Sequence, residues 1–271
     1  MPELPEVETI VRGLGSELER VRISSLKLLY PGAVPKDRAA FKRQVPGRTI
    51  TRVLRRGKLL LIELSPPLYL AFHLKMTGRL ILAGKNEDPD KHTRIVFQLA
   101  NKKKLFFKDM RKFGYCRAFS RKGLDEWGFY ATLGPEPLEI GTDEFVSLFS
   151  GRRARIKSLL LNQRVIAGIG NIYADEALFR ARIRPDLSAA DLDQQKLIQL
   201  CRSTREVLSE AIAANGSSIR DYQDPFGRPG SFQDNFKVYG KSGRPCPVCG
   251  TALSRSKVAG RTSTWCKHCQ R

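Results

Sequence analysis

The chain has 271 residues, 41% of them hydrophobic, so it has room for more than one domain and enough apolar side chains for a core. Its 48 Lys and Arg residues against 27 Asp and Glu residues give a formal net charge of +21. A fold does not require such an excess, so the composition indicates a polyanionic partner. The lack of an apolar run of about 18 residues and of a signal-peptide pattern argues against a membrane surface as that polyanion. A merely solvated basic surface is the alternative to a polyanionic partner.

The first eight residues, MPELPEVE, contain a candidate nucleophile. Removal of Met1 before the small Pro2 would leave a free secondary amine, whose pKa of ~8 keeps a useful fraction neutral near pH 7. Attack by this amine on an aldehyde-level carbon gives an iminium ion with no N–H left to lose, so its positive charge acts as an electron sink. Glu3, beside the amine, could act as a general acid or base.

The residues after Glu3 predict a helix. Pro5 suits a first helical position, and Glu6 and Glu8 favour the positive end of the helix dipole. Apolar residues recur at helical spacing at Val7, Ile10, Val11, Leu14 and Leu18. This apolar face would anchor the helix and leave Pro2 and Glu3 projecting from its start. On composition alone, an ordinary capped helix with an acidic first turn explains the same pattern.

Residues 23–119 have the pattern of β-strands. Short apolar or alternating runs are separated by Pro, Gly, Asn and Asp clusters. The clearest runs are 59–64, 68–72, 94–99 and 104–107. Several short strands at close spacing predict an antiparallel sandwich. Residues 84–90 read as an exposed loop.

After residues 133–138 the pattern becomes helical up to about Asn215. The clearest helix carries a stripe of core positions at Leu197, Cys201, Thr204, Leu208 and Ile212. We expect Ser188 or Asp191 to cap its start and Asn215-Gly216 to end it. The stripe predicts a buried Cys201. Residues 216–231 then read as a long loop, and loops of that length are often functional.

Four of the six cysteines form two C-x2-C pairs near the C-terminus, whereas Cys116 and Cys201 stand alone. The pairs are Cys246 with Cys249 and Cys266 with Cys269. Four thiolates from two tight turns predict a closed tetrahedral site for one structural zinc ion, which would fold a segment too short to have its own core. His268 could compete as a ligand but is not needed. The pattern is not a disulfide framework and fits a reducing cytoplasm.

The zinc segment is also basic, and no Asp or Glu follows Asp234. Arg261 lies between the two cysteine pairs, where a zinc-stapled hairpin could present it to a DNA groove. A generic zinc ribbon would carry the same charges without a special role for Arg261.

Residues 2–8, PELPEVE, resemble the N-terminal signature of the bacterial formamidopyrimidine-DNA glycosylase family, base-excision repair enzymes for oxidised purines. Gly260-Arg261-Thr262 before the last cysteine pair resembles the zinc finger of the same family. Four further segments resemble family motifs and follow in the family order: 55–58, 73–78, 108–114 and 151–176. The resemblance covers essentially the whole chain.

The resemblance implies an α+β multidomain fold. Its parts are an N-terminal catalytic antiparallel β-sandwich with flanking helices, a helix-two-turn-helix DNA-binding domain, and a lesion-loop end with a four-cysteine zinc finger. We place them at residues 1–131, 132–222 and 223–271. The partner implied is damaged double-stranded DNA, bound by a monomer in the bacterial cytoplasm, associated with the nucleoid through DNA and not with a membrane.

The reaction that the resemblance implies is excision of an oxidised purine, such as 8-oxoguanine or a formamidopyrimidine, followed by strand cleavage. The damaged base is flipped out of the duplex, Pro2 attacks C1′ of its sugar, and Glu3 protonates the opening sugar ring. The iminium charge then allows β-elimination and δ-elimination, with Lys58 and Arg261 assisting. The zinc ion takes no part in this chemistry.

The resemblance also implies a set of DNA contacts. A flipped base leaves a void, and apolar wedges with an arginine are suited to fill it. Met76, Arg111 and Phe113 are the implied void-filling residues. Further implied contacts are His73, His92, Arg152, Lys157 and Asn171. The chain departs from the family pattern at Lys75, where glycine is common, and at Met110, where proline is usual. Residues 216–222 resemble the family's lesion-recognition loop.

Two other functions fit the same residues. The sister class that excises oxidised pyrimidines shares the fold and nucleophile, but typically begins P-E-G-P-E, whereas this chain has Leu4. A non-catalytic protein that binds damaged DNA is the more distant alternative, and the presence of Pro2, Glu3 and Lys58 argues against it.

Overall fold

The computed structural model describes residues 1–219 and 221–271, and Arg220, in the predicted lesion-recognition loop, lies outside the described residues. Packing divides the chain into two compact units. The first unit comprises Met1–Thr132 and Ala214–Ser231, and the second comprises Leu133–Ala213 and Phe232–Arg271. The predicted boundaries of independent domains at 131/132 and 222/223 stay a prediction, because packing does not show which segments fold alone.

The first unit contains two four-stranded antiparallel sheets, with strand orders β1-β6-β7-β5 and β2-β3-β4-β8. The strands of the first sheet are β1 (Ile23–Leu28), β5 (Gly78–Ala83), β6 (Thr93–Leu99) and β7 (Lys104–Asp109). Those of the second are β2 (Thr49–Arg56), β3 (Leu59–Ser65), β4 (Leu68–His73) and β8 (Tyr115–Phe119). Phe72 of one sheet packs edge-on against Phe97 and Phe107 of the other, with ring centroids 6.0 and 5.6 Å apart. The predicted antiparallel sandwich is confirmed.

Helix α1 (Leu4–Leu18) contacts β2 and β3 of this sandwich. All five predicted apolar positions of its face are buried in the sandwich core, which confirms the helix and its orientation. Short helices α2 (Arg38–Gln44), α3 (Arg121–Asp125) and α4 (Gly128–Ala131) complete the unit. The strand-like pattern concealed α2, because Phe41 is its one buried residue and gives no helical periodicity.

The second unit is helical and ends in a β-hairpin. Its helices are α5 (Thr142–Phe149), α6 (Ile156–Leu161), α7 (Asn171–Arg180) and α8 (Gln194–Ala213). The hairpin consists of β9 (Ser254–Val258) and β10 (Arg261–Trp265). Helix α8 packs against α5 and α7, and its predicted stripe, including Cys201, is buried.

The start of α8 differs from the prediction. Ser188 caps a short 3₁₀ helix at Ala189–Asp191 instead. The Asp193 carboxylate accepts the backbone N–H of Lys196 at 2.7 Å, the geometry of an N-cap. The predicted caps are wrong because Asp193, which directly precedes the first helical residue Gln194, takes this position.

Among residues 1–219 and 221–271, no helix has both the length and the apolar character that a membrane crossing requires.

Candidate functional site

Pro2 and Glu3 lie immediately before α1, and both are buried. Glu3 is the N-cap: its carboxylate accepts the backbone N–H of Glu6, and the Glu6 carboxylate accepts the N–H of Glu3 at 2.8 Å. The prediction that Pro2 and Glu3 project from the helix is therefore wrong, because this reciprocal cap folds Glu3 back onto the first turn. The carboxylate of Glu3 is held close to the chain end.

Met1 precedes Pro2 in the described chain, and 45% of its surface is exposed. The Pro2 nitrogen is thus part of a peptide bond here. An amine at Pro2 forms only after Met1 is removed, and the exposure of Met1 is compatible with access by a peptidase.

Lys58 lies on the two-residue turn that joins β2 to β3, where Arg56 pairs with Leu59. Gly57 precedes it with φ +57°, a left-handed conformation that favours glycine. Arg55 connects this turn to α1, because its guanidinium donates to the Glu8 carboxylate at 2.9 Å and to the Gly57 carbonyl at 3.2 Å. The turn is therefore tied to the first turns of α1, and Lys58, which is buried, has a fixed position relative to that helix.

His73 ends β4 opposite Leu59 and is buried. Its ring lies between Tyr115 and Phe129, at centroid distances of 5.8 and 5.6 Å, and its Nδ1 accepts the Lys75 N–H at 3.2 Å. Burial, together with the positive charges of Lys75 and Lys58, lowers the pKa of His73 to about 3. His73 is thus neutral at physiological pH. It supports the loop that follows β4, and its direct contact with DNA stays a prediction.

Met76, Arg111 and Phe113 lie on two loops that are hydrogen-bonded to each other. The Arg111 backbone N–H donates to the Thr77 hydroxyl at 3.0 Å. Met76 and Phe113 expose 41% and 55% of their surface, and the Arg111 guanidinium lies 4.9 Å from the centre of the Phe113 ring. The structure therefore places the three predicted void-filling residues on adjoining loops with their apolar surface exposed, as a wedge requires.

The two departures from the family pattern lie in the same two loops. Lys75 has φ +52°, so a lysine adopts the left-handed conformation that glycine adopts more easily. Met110 is 50% exposed and adds apolar surface next to the wedge residues. His92, on the loop before β6, is half-buried, and its backbone N–H donates to the Asp90 carboxylate at 2.9 Å.

The predicted lesion-recognition loop is anchored to the first turn of α1. The Glu6 carboxylate accepts both the backbone N–H and the hydroxyl of Ser217, at 2.8 and 3.1 Å. The Tyr222 hydroxyl donates to the Glu6 carbonyl at 3.2 Å, and Ile219 between them is 46% exposed. Glu6 thus contacts Glu3, the proposed acid, and also Ser217, near the start of this loop.

In the second unit, Lys157 is completely buried. Its ammonium group contacts the Asp175 carboxylate at 2.7 Å, the Ser263 hydroxyl at 2.6 Å and the Thr262 carbonyl at 3.1 Å. The prediction that Lys157 grips the DNA backbone directly needs correction, because its side chain is 0% exposed and its ammonium group is already enclosed by three internal oxygens. Lys157 instead connects α6 to α7 and to β10.

Asn171 begins α7 and also contacts β10, because its amide donates to the Thr262 carbonyl at 3.0 Å. Its Oδ1 is buried and has no hydrogen-bond partner among the described residues. Arg152 is exposed on the segment between α5 and α6. Burial, opposed by Lys157, raises the pKa of Asp175 to about 6. Of the predicted contacts in this unit, Arg152 is thus exposed, Asn171 is half-buried, and Lys157 is an internal support.

The four predicted zinc ligands converge. Their sulfur atoms all lie within 4.8 Å of one another, with Cys246 to Cys269 at 3.9 Å and Cys249 to Cys266 at 3.5 Å. A tetrahedral zinc site with bonds of about 2.3 Å separates its sulfurs by about 3.8 Å, so the residues fit this ion. The apolar cluster around Cys246 and Cys266 is small, and a structural zinc ion supplies the stability that it lacks.

Arg261 is exposed at the start of β10, directly after the two-residue turn Ala259-Gly260. Both turn residues have positive φ, +50° and +71°, as a tight hairpin turn of this twist requires. The predicted hairpin with Arg261 near its tip is confirmed, and its role on DNA stays a prediction.

The residues that support the site escaped the sequence analysis. The acidic charge of Glu6 predicts only a favourable interaction with the helix dipole, although its position three residues after Glu3 is the spacing of a reciprocal cap. Arg55 and Asp109 lie inside motifs that received roles for their neighbours alone. Asp175 had no signal, because its partner Lys157 is 18 residues away.

Comparisons with known proteins agree with this geometry. Three family models match: "Formamidopyrimidine-DNA glycosylase N-terminal domain" at residues 1–116, "Formamidopyrimidine-DNA glycosylase H2TH domain" at 133–223, and "Zinc finger found in FPG and IleRS" at 243–271. Formamidopyrimidine-DNA glycosylase of Pelotomaculum thermopropionicum is 43% identical, over 100% of this chain and 99% of the relative. That of Nitratidesulfovibrio vulgaris is 39% identical, with 100% of both chains covered.

Solved structures of the Lactococcus lactis enzyme are also similar. The wild-type enzyme in complex with DNA containing N7-benzyl-Fapy-dG has a TM-score of 0.92 at 35% identity, with 100% of both chains covered. Its complex with abasic-site DNA has a TM-score of 0.92 at 34% identity, with 99% of both covered. Three matching family models and full-length relatives above 30% identity lead to one conclusion: this chain belongs to the formamidopyrimidine-DNA glycosylase family.

Proposed function

We propose that this chain excises oxidised purines, such as 8-oxoguanine and formamidopyrimidines, from duplex DNA and then cleaves the strand at the abasic site. Membership of the family makes it a base-excision repair DNA glycosylase and AP lyase with one structural zinc ion. The observation that carries the residue assignment is the buried Pro2–Glu3 pair, whose acid is fixed by the reciprocal cap at the start of α1.

In the proposed reaction the Pro2 amine, freed of Met1, attacks C1′ of the damaged nucleotide. The bond from C1′ to the base breaks, and Glu3 donates the proton that the opening sugar ring needs. The iminium ion that joins Pro2 to C1′ acidifies the C2′ protons. Loss of one of them expels the 3′ phosphate by β-elimination, and δ-elimination then expels the 5′ phosphate.

Lys58 supports these eliminations from the β2–β3 turn, which Arg55 holds against α1. Its ammonium group would stabilise the negative charge of the departing phosphates. Arg261, exposed on the zinc-finger hairpin, is proposed to bind a phosphate near the lesion. The zinc ion would hold the cysteine-containing turns that support the hairpin and would stay outside the chemistry.

DNA binding is proposed for the exposed groups of both units. Met76, Arg111 and Phe113 would fill the space of the flipped base, with His92 beside them. Arg152 and Asn171 would contact the backbone, supported by Lys157. We propose that the enzyme acts as a monomer in the cytoplasm and reaches the nucleoid through DNA, in keeping with a net charge of +21.

Borohydride trapping tests the proposal. The protein, shown by mass to lack Met1, is incubated with a duplex containing one 8-oxoguanine opposite cytosine, reduced, and analysed on a denaturing gel. We expect a lesion-specific adduct that is lost or strongly reduced in Pro2→Gly. Glu3→Gln should abolish base release, whereas Glu19→Gln, exposed at the C-terminal end of the same helix, should behave as wild type. No adduct from zinc-loaded protein would refute the proposal.

Oxidised pyrimidines are a second candidate substrate class, because the Lactococcus lactis enzyme has also been solved with "an oxidized pyrimidine containing DNA". Excision of 8-oxoguanine and of thymine glycol from matched duplexes would separate the two. Faster excision of 8-oxoguanine supports the purine assignment, and faster excision of thymine glycol supports the alternative.

A further inference from the structure

Three loops of the first unit carry the residues that are proposed to fill the space of the flipped base, together with His92. They follow β4, precede β6 and follow β7, and they present Met76, His92 and the Arg111–Phe113 pair. All three meet at Asp109, the last residue of β7, which is 1% exposed.

The Asp109 carboxylate accepts hydrogen bonds from two of these loops. Its Oδ1 accepts from the Thr77 hydroxyl at 2.5 Å and from the Arg111 N–H at 3.2 Å, and its Oδ2 accepts from the Gly114 N–H at 2.7 Å. The Thr77 hydroxyl accepts the same Arg111 N–H at 3.0 Å. One carboxylate and one hydroxyl therefore connect the loop of Met76 to the loop of Arg111 and Phe113.

The backbone of Asp109 binds the third loop. Its N–H donates to the His92 carbonyl at 2.9 Å. Its carbonyl accepts from the buried Arg94 guanidinium at 2.8 Å, and that guanidinium also donates to the Lys91 carbonyl at 3.1 Å. The bases of all three loops are thus fixed to a single residue.

The loops are closely fitted at this point. A side chain at Gly114 would place a Cβ 3.1 Å from the Asp109 carboxylate and 3.0 Å from the Phe107 ring. Lys75 and Lys112, with φ +52° and +59°, turn the chain sharply on either side. The base is buried and tightly bonded, while the tips, Met76 and Phe113, remain exposed.

We propose that Asp109 is the positioning residue for void filling. It does not touch DNA. It holds Met76, Arg111, Phe113 and His92 in one arrangement, so that the wedge is already ordered when a base leaves the stack and little conformational entropy is lost on insertion. The proposal rests on the proposed function, because it assigns a support to the residues that the function uses.

Comparison of two substrates tests this role. An 8-oxoguanine duplex requires a base to be extruded and its space filled, whereas an abasic site has no base to extrude. In Asp109→Asn the side-chain amide group faces either the Gly114 N–H or the Thr77 and Arg111 donors, so a buried donor loses its acceptor. We expect this loss to lower the single-turnover rate of 8-oxoguanine excision by about 10- to 100-fold. Abasic-site cleavage should change by less than about threefold, because no base has to leave the stack before the wedge inserts, so an already ordered wedge matters less.

Asp88→Asn is the matched control, because it makes the same charge change at a side chain that is 94% exposed. Rates are normalised to the fraction of molecules that borohydride traps on abasic-site DNA, which removes the effect of unfolded protein. An equal fall on both substrates, or no fall on 8-oxoguanine, would overturn the inference. Failure of wild-type protein to act on either substrate would refute the proposed function instead.

Thr77 gives a second test if Asp109→Asn does not fold. Thr77→Val removes the hydroxyl that bridges the two loops with little change of shape, and Thr77→Ser keeps it. We expect Thr77→Val to lower 8-oxoguanine excision selectively and Thr77→Ser to stay within about threefold of wild type, since one lost hydrogen bond has a moderate effect. Equal behaviour of the two Thr77 variants would contradict a positioning role.

Discussion

Acidification should destabilise the first unit through His73. Its pKa is about 3 in the folded protein and 6.5 when unperturbed, so between these values the unfolded chain binds the proton more readily. The stability due to neutral His73 is present above pH 6.5 and is lost progressively as the pH falls towards 3. At pH 4.5, two units below the unfolded pKa, the loss is about 2.7 kcal/mol, taking about 1.36 kcal/mol per unit.

The effect can be isolated with His73→Asn, whose amide oxygen can still accept the Lys75 N–H. The chain has two tryptophans, and Trp127 lies in the first unit near His73, in contact with Phe129 at 5.1 Å. In a Trp265→Phe background, Trp127 fluorescence therefore reports unfolding of the first unit in urea. We expect the difference in unfolding free energy between the protein with His73 and its His73→Asn variant to shift by about 2.7 kcal/mol between pH 7.5 and 4.5.

Groups shared by both proteins, including the zinc thiolates, cancel in this difference. A difference that does not change with pH would refute the reasoning. So would a direct NMR titration of His73 with a midpoint near 6.5, because it would show that burial does not suppress protonation.

Three further outcomes are expected. Lys157→Met leaves the Asp175 carboxylate buried without its cation and should lower the free energy of unfolding by about 3–5 kcal/mol. Trp265 fluorescence in urea measures this loss, and adding Asp175→Asn should recover part of it. Elemental analysis should find one zinc ion per chain in the wild type and less in Cys249→Ser, which should also bind DNA more weakly. Full DNA binding without zinc would contradict a structural metal. Lys75→Gly should change the melting temperature little or raise it, whereas Lys75→Val should lower stability by about 1–2 kcal/mol, because a β-branched residue tolerates positive φ poorly.

The sequence predicted the features that follow from local chemistry. Apolar alternation identified the strands of the sandwich, the spacing of Val7 to Leu18 identified the buried face of α1, and the two C-x2-C pairs identified the metal site. Each of these signals lies within a short window of the chain. These features can therefore be recognised from the sequence without knowledge of the tertiary structure.

The supports of the site could not be predicted in the same way. Asp109 acquires its role from hydrogen bonds to Thr77 and His92, which are 32 and 17 positions away. Lys157 reads as an exposed cation in a basic segment, yet folding buries it against Asp175. Such contacts depend on which distant segments of the chain pack together, and neither hydrophobic periodicity nor motif spacing predicts that packing.

The central claim is that the nitrogen of Pro2 forms the covalent bond to DNA. The most direct test is to reduce the complex formed with 8-oxoguanine DNA, digest protein and DNA, and locate the attached deoxyribose by tandem mass spectrometry. The account predicts attachment to the Pro2 nitrogen of an N-terminal peptide that lacks Met1. Attachment to a lysine, such as Lys58, would contradict it and assign the nucleophile elsewhere.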